Sequence, residues 1–425
     1  MRRDVDRART VRVLAAPAVF PGRPREAGGS APVLRGGAVA LDGDVVVGVG
    51  PRAEVEARHG PAEWLDALIL PALVNAHTHL ELSHLRGRVA GGDGGLPAWV
   101  ARLVAARASP QDRTPDGGES PDVLGALLDA IGDLERAGVA ALGEVTNTLA
   151  ALPHLSRAGL AGTVFHEVFG FSPARIATAL AAAAELRAMA PDPGPGLRVC
   201  TTPHAVYSTN PRVLAELLRA GPASIHLAED PAERRFCAEA AGPFAAMNRS
   251  FGARELPRLG RSAVAVVAPH LRPDSLVVHA VDLDAEDLAA LVRARAIVVL
   301  CPRSNLHIGG RLAEVPALLA AGLPLAVGSD SLASSPSLSP LAELAALARA
   351  FPDLEPDRLL PLAWNGEAVG APAVGRLAPG TAPGVLAAPL DGYDPPDPAR
   401  WMIEGFGATE RPFRWLARHR PEARG

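Results

Sequence analysis

From about residue 120 onward, the chain alternates short apolar runs rich in β-branched residues with alanine- and leucine-rich segments of helical period. This alternation predicts a parallel sheet covered by helices, because consecutive parallel strands need a crossover that is usually a helix. Eight runs read as strands: one that ends near His79, then "VAALGEVTN", "LAGTVFHEVFG", "LRVCTTPHAV", "ASIHLAED", "SLVVHAVD", "AIVVLCPRSN" and "LPLAVGSDS". Eight strands predict an α/β fold, a (β/α)8 TIM barrel. A doubly wound sheet is the alternative, disfavoured because no G-x-G-x-x-G motif follows the first strand.

The two ends of the chain have a different pattern. The segment "GGAVALDGDVVVGVG" before residue 68 contains two short β runs around an Asp-Gly turn, and "VGRLAPGTAPGVLAAPL" near the other end has the same style. We therefore predict that residues 1–68 and 367–425 together build one small β domain, and that residues 69–366 form the barrel. The final "RPFRWLARHRPEARG" is expected to be a docked tail helix with a frayed end.

Composition limits the classes of partner. A formal net charge of -4 provides no basic face for nucleic acid. No apolar run reaches the ~18 residues of a membrane span. The start "MRRDVDRARTVRVLAAPAVFPG" has only a short apolar patch, and acidic residues interrupt its basic part. We expect a cytoplasmic protein with a small-molecule substrate and no nucleic-acid or membrane partner, and leave a homodimer open.

The chain contains no lysine, so all 42 of its Lys and Arg residues are arginine. This excludes a Schiff-base lysine, a phosphate-binding Walker lysine and a carboxylated lysine that bridges two metals. The three cysteines are few and far apart, which argues against a cysteine zinc site. Any metal must therefore be bound by histidines and carboxylates.

Histidines and acids gather at the ends of the expected strands. They are His77 and His79 after strand one, His204 after strand four, His226 and Glu229 after strand five, His279 after strand six and Asp330 after strand eight. Any one of these histidines alone is more often a structural residue. A closed barrel, however, brings the carboxyl ends of all its strands around one mouth, where active sites of such barrels lie. The pattern therefore predicts a metal site.

A resemblance to a known family is carried by the strings "PALVNAHTHLE", "TTPHAVYST", "IHLAED", "VVHAVDLD", "CPRSNLHIGG" and "AVGSDS". Together these strings resemble the amidohydrolase superfamily, in its branch of mononuclear deaminases and chlorohydrolases. The resemblance runs over roughly residues 40 to 390. It implies that His77, His79, His226 and Asp330 are metal ligands, that Glu229 is the proton shuttle and that His279 is a partner of the bound water or developing charge. It also implies that His204 lies on the substrate side.

The donor set supports the same chemistry on general grounds. Three neutral imidazoles and one carboxylate suit Zn²⁺, with Fe²⁺ as the alternative, and the absence of lysine favours one divalent metal. Such a metal lowers the pKa of its water from 15.7 towards about 7. Asp330 can then accept the water's proton, while Glu229 protonates a ring nitrogen and the leaving amine. His279 can stabilise the developing charge on the oxygen. The predicted catalytic residues are therefore Glu229, His279 and Asp330.

We predict a metal-dependent hydrolytic deaminase that releases ammonia from an aminated purine nucleoside-like compound. The start "NAHTHLELS" resembles that of deaminases that act on aminodeoxyfutalosine, which makes this compound one candidate substrate. A chlorohydrolase or cyclic amidohydrolase at the same metal is the alternative within enzymes. A non-catalytic metal-binding barrel is a second alternative, which the pair of carboxylates disfavours, because binding alone needs no acid and base.

Four residues are candidates for substrate binding: Glu81, His204, Arg303 and Asn305. Glu81 is expected on the strand face of the two first histidines, where it either contacts substrate hydroxyls or orients a ligand histidine. Arg303 either binds a carboxylate-bearing substrate group or forms a surface ion pair. Asn305 is expected to hydrogen-bond the substrate or to fix a loop.

Three further residues remain open. His166 and Glu167 are adjacent at the end of strand three, so one should face the mouth and the other the helices. Trp99 either forms an apolar lid over the site or is simply buried by its own amphipathic helix.

Overall fold

A computed structural model describes residues 11–24, 29–30, 32–108 and 120–421. The first ten residues, on which the expectation of a cytoplasmic protein partly rests, and the last four residues of the expected tail helix lie outside this description. Within the described ranges, no helix is both long enough and apolar enough to cross a membrane.

The described part of the N-terminal region consists mainly of short strands. They are β1 (Arg12–Ala15), β2 (Ala18–Val19), β3 (Leu34–Arg35), β4 (Gly37–Asp42), β5 (Val45–Pro51), β6 (Glu63–Trp64) and β7 (Ala67–Pro71). One sheet has the order β5-β4-β1-β6. The expected hairpin is present, because β4 and β5 pair antiparallel up to Asp42 and Val45, and Gly43 takes a left-handed φ of 62° in the turn.

The central region contains two four-stranded parallel sheets. Their strands are β8 (Leu73–Thr78), β9 (Val139–Thr146), β10 (Ala161–Val168), β11 (Leu197–Pro203), β12 (Ser224–Leu227), β13 (Leu276–His279), β14 (Ile297–Leu300) and β15 (Leu325–Val327). The orders are β11-β10-β9-β8 and β12-β13-β14-β15, so neighbours follow the chain without the reversal typical of a doubly wound sheet. This confirms an α/β fold with parallel strands.

Isolated parallel bridges link the two central sheets at both ends. Thr78, at the end of β8, pairs with Asp330 just beyond β15, and Ala205 just beyond β11 pairs with His226 in β12. The carboxyl ends of the strands at both junctions therefore lie side by side.

Helices pack on the sheets of both the N-terminal and the central regions. They are α1 (Arg52–His59), α2 (Gly95–Arg107), α3 (Pro121–Arg136), α4 (Leu152–Arg157), α5 (Pro173–Met189), α6 (Pro211–Ala220), α7 (Pro231–Glu239), α8 (Pro243–Ser250), α9 (Ala263–Val267), α10 (Ala285–Ala294), α11 (Pro302–Gly309), α12 (Val315–Ala320), α13 (Pro340–Ala350), α14 (Pro356–Leu359) and α15 (Pro398–Arg400). Short 3₁₀ helices span Leu80–Leu85, Ala268–His270, Leu360–Trp364 and Gly366–Val369, and a π-helix spans Trp401–Gly407. Several helices begin with proline directly after a capping side chain, as at Asn210 and Asp230, because proline suits the first helical position and the cap satisfies a free backbone N–H.

The C-terminal strands return to the N-terminal region. Strands β16 (Pro383–Pro389) and β17 (Arg414–His419) extend a sheet of order β17-β16-β7-β2-β3. The expected tail helix is therefore wrong over its described part, because Arg414–His419 is a strand that pairs antiparallel with β16. Its Leu-Ala-Arg composition favours a helix, but pairing with β16 and the hydrogen bond from Trp415 Nε1 to the Glu135 carbonyl (3.0 Å) outweigh that weak local preference.

Candidate metal centre and active-site cavity

The backbone turns sharply where the central strands end. Ala228, His279 and Asp330 have φ values of 54°, 79° and 59°, which non-glycine residues rarely adopt. Such conformations cluster at functional sites, where the surrounding fold holds them. The last strand is also fixed to the first, because Asp330 N donates to the His77 carbonyl oxygen at 3.0 Å. A Cβ on Gly328 would lie only 2.7 Å from His77 Cβ, so this approach requires glycine.

Three imidazoles converge at this edge. His79 Nε2 lies 3.1 Å from His77 Nε2 and 3.2 Å from His226 Nε2. Nitrogens bound to one zinc at 2.0–2.1 Å stand about 3 Å apart, so the spacing fits ligands of a common metal. Asp330 Oδ1 lies 3.7 Å from His77 Nε2 and 3.5 Å from His79 Nε2. The structure thus brings together the four residues predicted as ligands, and their nitrogen and oxygen donors fit a divalent metal.

The protonation states suit metal binding. Burial lowers the pKa of His226 to about 3 and also lowers the pKa values of His77 and His79, so all three imidazoles are neutral near pH 7. Burial alone would raise the pKa of Asp330, but the nearby histidines, His77 above all, bring that pKa well below its usual value. Ser304 Oγ (2.5 Å) and Ser334 Oγ (3.1 Å) also donate to Asp330 Oδ2. Asp330 is therefore an anionic ligand candidate.

His226 is oriented from behind. Its Nδ1 lies 3.3 Å from the carbonyl oxygen of His204, which can only accept a hydrogen bond. A proton on Nδ1 leaves the Nε2 lone pair directed at the other two histidines, which is the usual arrangement for a metal-binding histidine. Glu167 Oε1 lies 3.6 Å from the same Nδ1. Of the two adjacent residues at the end of β10, Glu167 is the one that faces the mouth. Glu167 lines the central cavity, whereas His166 lines only an outer groove along α5.

Glu229 and His279 form a second polar pair beside the histidines. His279 Nε2 lies 3.5 Å from Glu229 Oε2. Asn305 Nδ2 donates to His279 Nδ1 at 3.0 Å, which places the imidazole proton on Nε2, towards Glu229. That Nε2 is buried without a hydrogen-bond partner among the described residues. Burial, followed by the negative charge of Asp330, raises the pKa of Glu229 well above its usual value, so this carboxyl can hold a proton at neutral pH.

The histidine cluster with Asp330 and the Glu229–His279 pair both border one cavity of about 410 Å³, a size typical of small-molecule sites. His79, His204, His226, Glu229, His279 and Asp330 line its inner end. Its outer walls are largely apolar and include Leu96, Trp99, Leu103, Phe169, Phe171, Met247 and Phe251. Trp99 therefore helps to cover the site, which agrees with the first of its two alternatives, an apolar lid. His204 lies at the cavity with its Nδ1 2.6 Å from Ser208 Oγ.

Glu81 does not reach the cavity. Its Oε2 accepts hydrogen bonds from Thr146 Oγ1 (2.7 Å) and from Asn147 N (2.9 Å), and Thr148 adds two more. Its Oε1 lies 3.4 Å from Arg107. The chain leaves the strand at Thr78 and enters a 3₁₀ helix, so the two-residue alternation that placed Glu81 beside the histidines no longer applies. The expected contact with substrate is thus corrected to a loop-fixing role.

Arg303 is also absent from the cavity lining. Its side chain is 11% exposed and pairs through Nε with Glu343 Oε1 (2.7 Å) and through Nη1 with Glu410 (2.9 Å). Its Nη2 donates to Ser337. The expected contact with a substrate carboxylate is therefore wrong, and the ion-pair alternative holds in a buried form. Asn305 likewise acts on His279 rather than on the cavity.

Sequence reasoning missed Glu144, which is buried in β9. Its Oε2 accepts from Thr78 Oγ1 (2.6 Å) and its Oε1 accepts from Leu80 N (2.9 Å), so it holds the chain on both sides of His79. A carboxylate inside the apolar run "VAALGEV" was the available signal, because unpaired charges are rarely buried. The cavity wall from α8 was missed because helix patterns do not show which face covers a mouth.

Comparison with known proteins agrees with this geometry. The model of the family described as "Amidohydrolase family" matches residues 68–383. A 5-methylthioadenosine/S-adenosylhomocysteine deaminase of Nitratidesulfovibrio vulgaris is 32% identical over 371 residues, which cover 82% of this chain and 78% of that protein. An aminodeoxyfutalosine deaminase of Deinococcus radiodurans is 30% identical over 81% of this chain and 82% of its own length.

A solved structure has the same fold. The aminofutalosine deaminase of Helicobacter pylori, in complex with methylthio-coformycin, superposes with a TM-score of 0.78 at 20% identity, over 96% of this chain and 98% of its own. The chain belongs to the amidohydrolase family and is a hydrolase that acts on carbon–nitrogen bonds.

Proposed function

We propose that this member of the amidohydrolase family hydrolyses the exocyclic amine of a purine nucleoside-like substrate and releases ammonia. The observation that carries the proposal is the meeting of the three histidine Nε2 atoms with the carboxyl groups of Glu229 and Asp330 at the inner end of one cavity. The relatives named above act on adenosine derivatives that carry a 5′-substituent or on aminodeoxyfutalosine. Compounds of these two kinds are therefore the substrates proposed for this chain.

His77, His79, His226 and Asp330 would hold one divalent metal, with Zn²⁺ favoured and Fe²⁺ as the alternative, because both metals accept imidazole and carboxylate donors. When bound, such a metal lowers the pKa of a coordinated water from 15.7 to about 7.

The acid and base roles follow from the two carboxyl groups. Asp330 is ionised and can accept a proton from the attacking water. Burial raises the pKa of Glu229 well above its usual value and so favours its protonated form, which can protonate a ring nitrogen of the purine. The Glu229 carboxylate can then take the proton of the newly added hydroxyl and pass it to the leaving amine, and the proton taken up by Asp330 restores the acid. Environments that push two pKa values apart are typical of an acid and base pair. His279, with its Nε2 proton directed into the same space, can donate a hydrogen bond to the oxygen that develops negative charge.

The fold proposed for this site is a closed (β/α)8 TIM barrel formed by β8 to β15. The bridges Thr78–Asp330 and Ala205–His226 support closure, because they join the two central sheets at both junctions. The small β domain predicted from residues 1–68 and 367–425 would extend to Pro71, since β7 pairs with β16. Barrel enzymes carry their sites at the carboxyl ends of the strands, where these residues lie.

A substrate panel tests the function. Purified protein would be freed of metal by a chelator, supplied again with Zn²⁺ or Fe²⁺, and incubated with adenosine, 5′-methylthioadenosine, S-adenosylhomocysteine, aminodeoxyfutalosine, cytosine and a chlorotriazine. Metal-dependent ammonia release from the purine compounds is expected. Chloride release, or turnover without ammonia, would instead support the alternative hydrolases. Full metal binding without any turnover would support a non-catalytic barrel.

A further inference from the structure

Helix α2 covers the cavity. The residues around its first turn provide no side chain that caps the helix. Its residues Leu96, Trp99, Val100, Leu103, Val104 and Arg107 line the cavity. It begins at Gly95, and the residue before it, Gly94, has a φ of 92° and no side chain that could cap the helix. The first backbone N–H groups of a helix lack partners within the helix and need an outside acceptor.

Asp230 supplies that acceptor from elsewhere in the chain. Its Oδ2 accepts a hydrogen bond from Leu96 N, the second helical residue of α2, at 3.1 Å. Capping side chains ordinarily serve this position from the residue that precedes the helix. A Cβ on Gly95 would lie 2.6 Å from Asp230 Oδ2, so glycine is what allows the carboxylate to approach.

The same carboxylate caps a second helix. Asp230 Oδ1 accepts from Ala232 N at 2.8 Å and thereby begins α7. Asp230 also follows Glu229 directly, and Glu229 N donates to Glu233 Oε1 at 2.8 Å. Asp230 is therefore fixed relative to Glu229, the proposed acid. Its Oδ1 begins α7, and its Oδ2 holds the first turn of α2.

The far end of α2 is held by another carboxylate. Arg107, in the last turn, lies 3.4 Å from Glu81 Oε1, while Glu81 Oε2 is occupied by the loop at residues 146–148. Each end of α2 thus contacts a carboxylate that is already fixed by a neighbouring element.

We propose that Asp230 is a positioning residue that anchors helix α2 over the cavity, with Glu81 as a weaker second anchor. The anchored helix places Trp99 and Leu103 against the outer part of a bound substrate and excludes water from the inner end. The inference rests on the proposed function only for its kinetic consequence, since the anchoring itself is a property of the free protein. Loss of the anchor should raise KM and leave the chemical step largely unchanged.

Asp230→Asn separates the two caps. Asparagine caps a helix about as well as aspartate, so α7 keeps its start, but its NH₂ group cannot accept the hydrogen bond from Leu96 N. We expect hydrogen exchange of the backbone amides at 96–100 to become several-fold faster, with α7 unchanged. We expect KM to rise on the order of tenfold, which corresponds to the loss of one hydrogen bond to a charged group, with kcat within about threefold.

Two further variants make the test specific. Gly95→Ala would bring a Cβ to 2.6 Å from Asp230 Oδ2 and would also strain the backbone, because Gly95 has a φ of 58°. Exchange at the same amides should accelerate, and this result supports the anchor when Asp230→Asn gives it too. Asp397→Asn is the matched control, because Asp397 caps α15 through Arg400 N at 3.0 Å and α15 does not line the cavity. It should leave both the exchange of α2 and KM unchanged.

Unchanged exchange at 96–100 in both Asp230→Asn and Gly95→Ala would overturn the anchor. Faster exchange with unchanged KM would show that the position of α2 does not influence substrate binding, and loss of bound metal would assign Asp230 to the metal centre instead. The exchange measurement needs no substrate. Failure of the anchor can therefore be told apart from failure of the proposed deaminase activity.

Discussion

The inner and outer ends of the cavity are built in different ways. At the inner end, side chains follow parallel strands, are buried, and are held by backbone or side-chain partners, as His226 is by the His204 carbonyl and His279 by Asn305. The outer walls come from α2, from α8 and from the loops that follow strands, and include partly exposed apolar residues such as Leu103 and Phe251. We therefore propose that the inner end carries the chemistry and that the outer end selects the substrate.

The largest effect is expected when a ligand is removed from the inner end. His226→Ala leaves only two of the three converging nitrogens, so metal should be lost. Turnover should fall on the order of 10³-fold or more, because a bound metal supplies several kcal/mol of stabilisation in the transition state. Elemental analysis and ammonia release would be measured on the same sample. A variant that keeps a full equivalent of metal would remove His226 from the ligand set.

Glu229→Gln separates the acid from the ligands at the same end. Glutamine keeps the shape of the side chain but cannot deliver a proton, so kcat should fall on the order of 10²–10⁴-fold while metal content stays normal. A hydrated-purine inhibitor should lose more affinity than the substrate, because the proton contact forms along the reaction path. Near-normal turnover would exclude Glu229 from the mechanism, and loss of metal would make it a ligand.

The neutral histidines of the inner end make metal-free protein sensitive to acid. Burial lowers the pKa of His226 to about 3 and that of His204 to about 4, against about 6.5 in the unfolded chain. Between these folded pKa values and about pH 6.5, the unfolded chain binds more protons than the folded protein. The free energy of unfolding is therefore highest above about pH 6.5 and decreases as the pH falls towards the folded pKa values. Between pH 7 and pH 5 the loss is about 2 kcal/mol per histidine.

Urea unfolding of chelated protein at the two pH values measures this loss. His204→Asn removes one of the two groups and should reduce the difference by about 2 kcal/mol. A difference that does not change in the variant would mean that His204 is not held in its neutral form.

The smallest effect is expected at the outer end. Leu103→Ala removes apolar contact with the outer part of the substrate and should raise KM on the order of tenfold, with kcat and metal content near normal. The increase should be greater for a substrate with an apolar 5′-substituent than for adenosine. A variant with normal KM but reduced kcat would contradict the division between the two ends.

The same division explains what the sequence could predict. The strand-end residues His77, His79, His226, His279 and Asp330 were predictable, because the period of parallel strands places their ends at one edge regardless of loop detail. That period no longer applies beyond the strand, where Glu81 enters a 3₁₀ helix and its side chain turns towards the loop at residues 146–148.

Elsewhere, long-range partners decided the outcome. Nothing near Arg303 in the sequence indicates that Glu343 and Glu410 would surround it. The C-terminal Arg414–His419 segment has the composition of a helix but pairs as a strand with β16. The anchoring of α2 by Asp230 joins residues more than 130 positions apart and leaves no local pattern.

We propose that ammonia release depends on one metal, held by His77, His79, His226 and Asp330. Metal should be titrated into chelated protein while bound metal and ammonia release from the preferred purine substrate are followed together. Activity is expected to rise in proportion to bound metal and to reach its plateau at about one equivalent per chain. A plateau that requires two tightly bound equivalents, or full turnover in the chelated protein, would exclude a single catalytic metal at these residues.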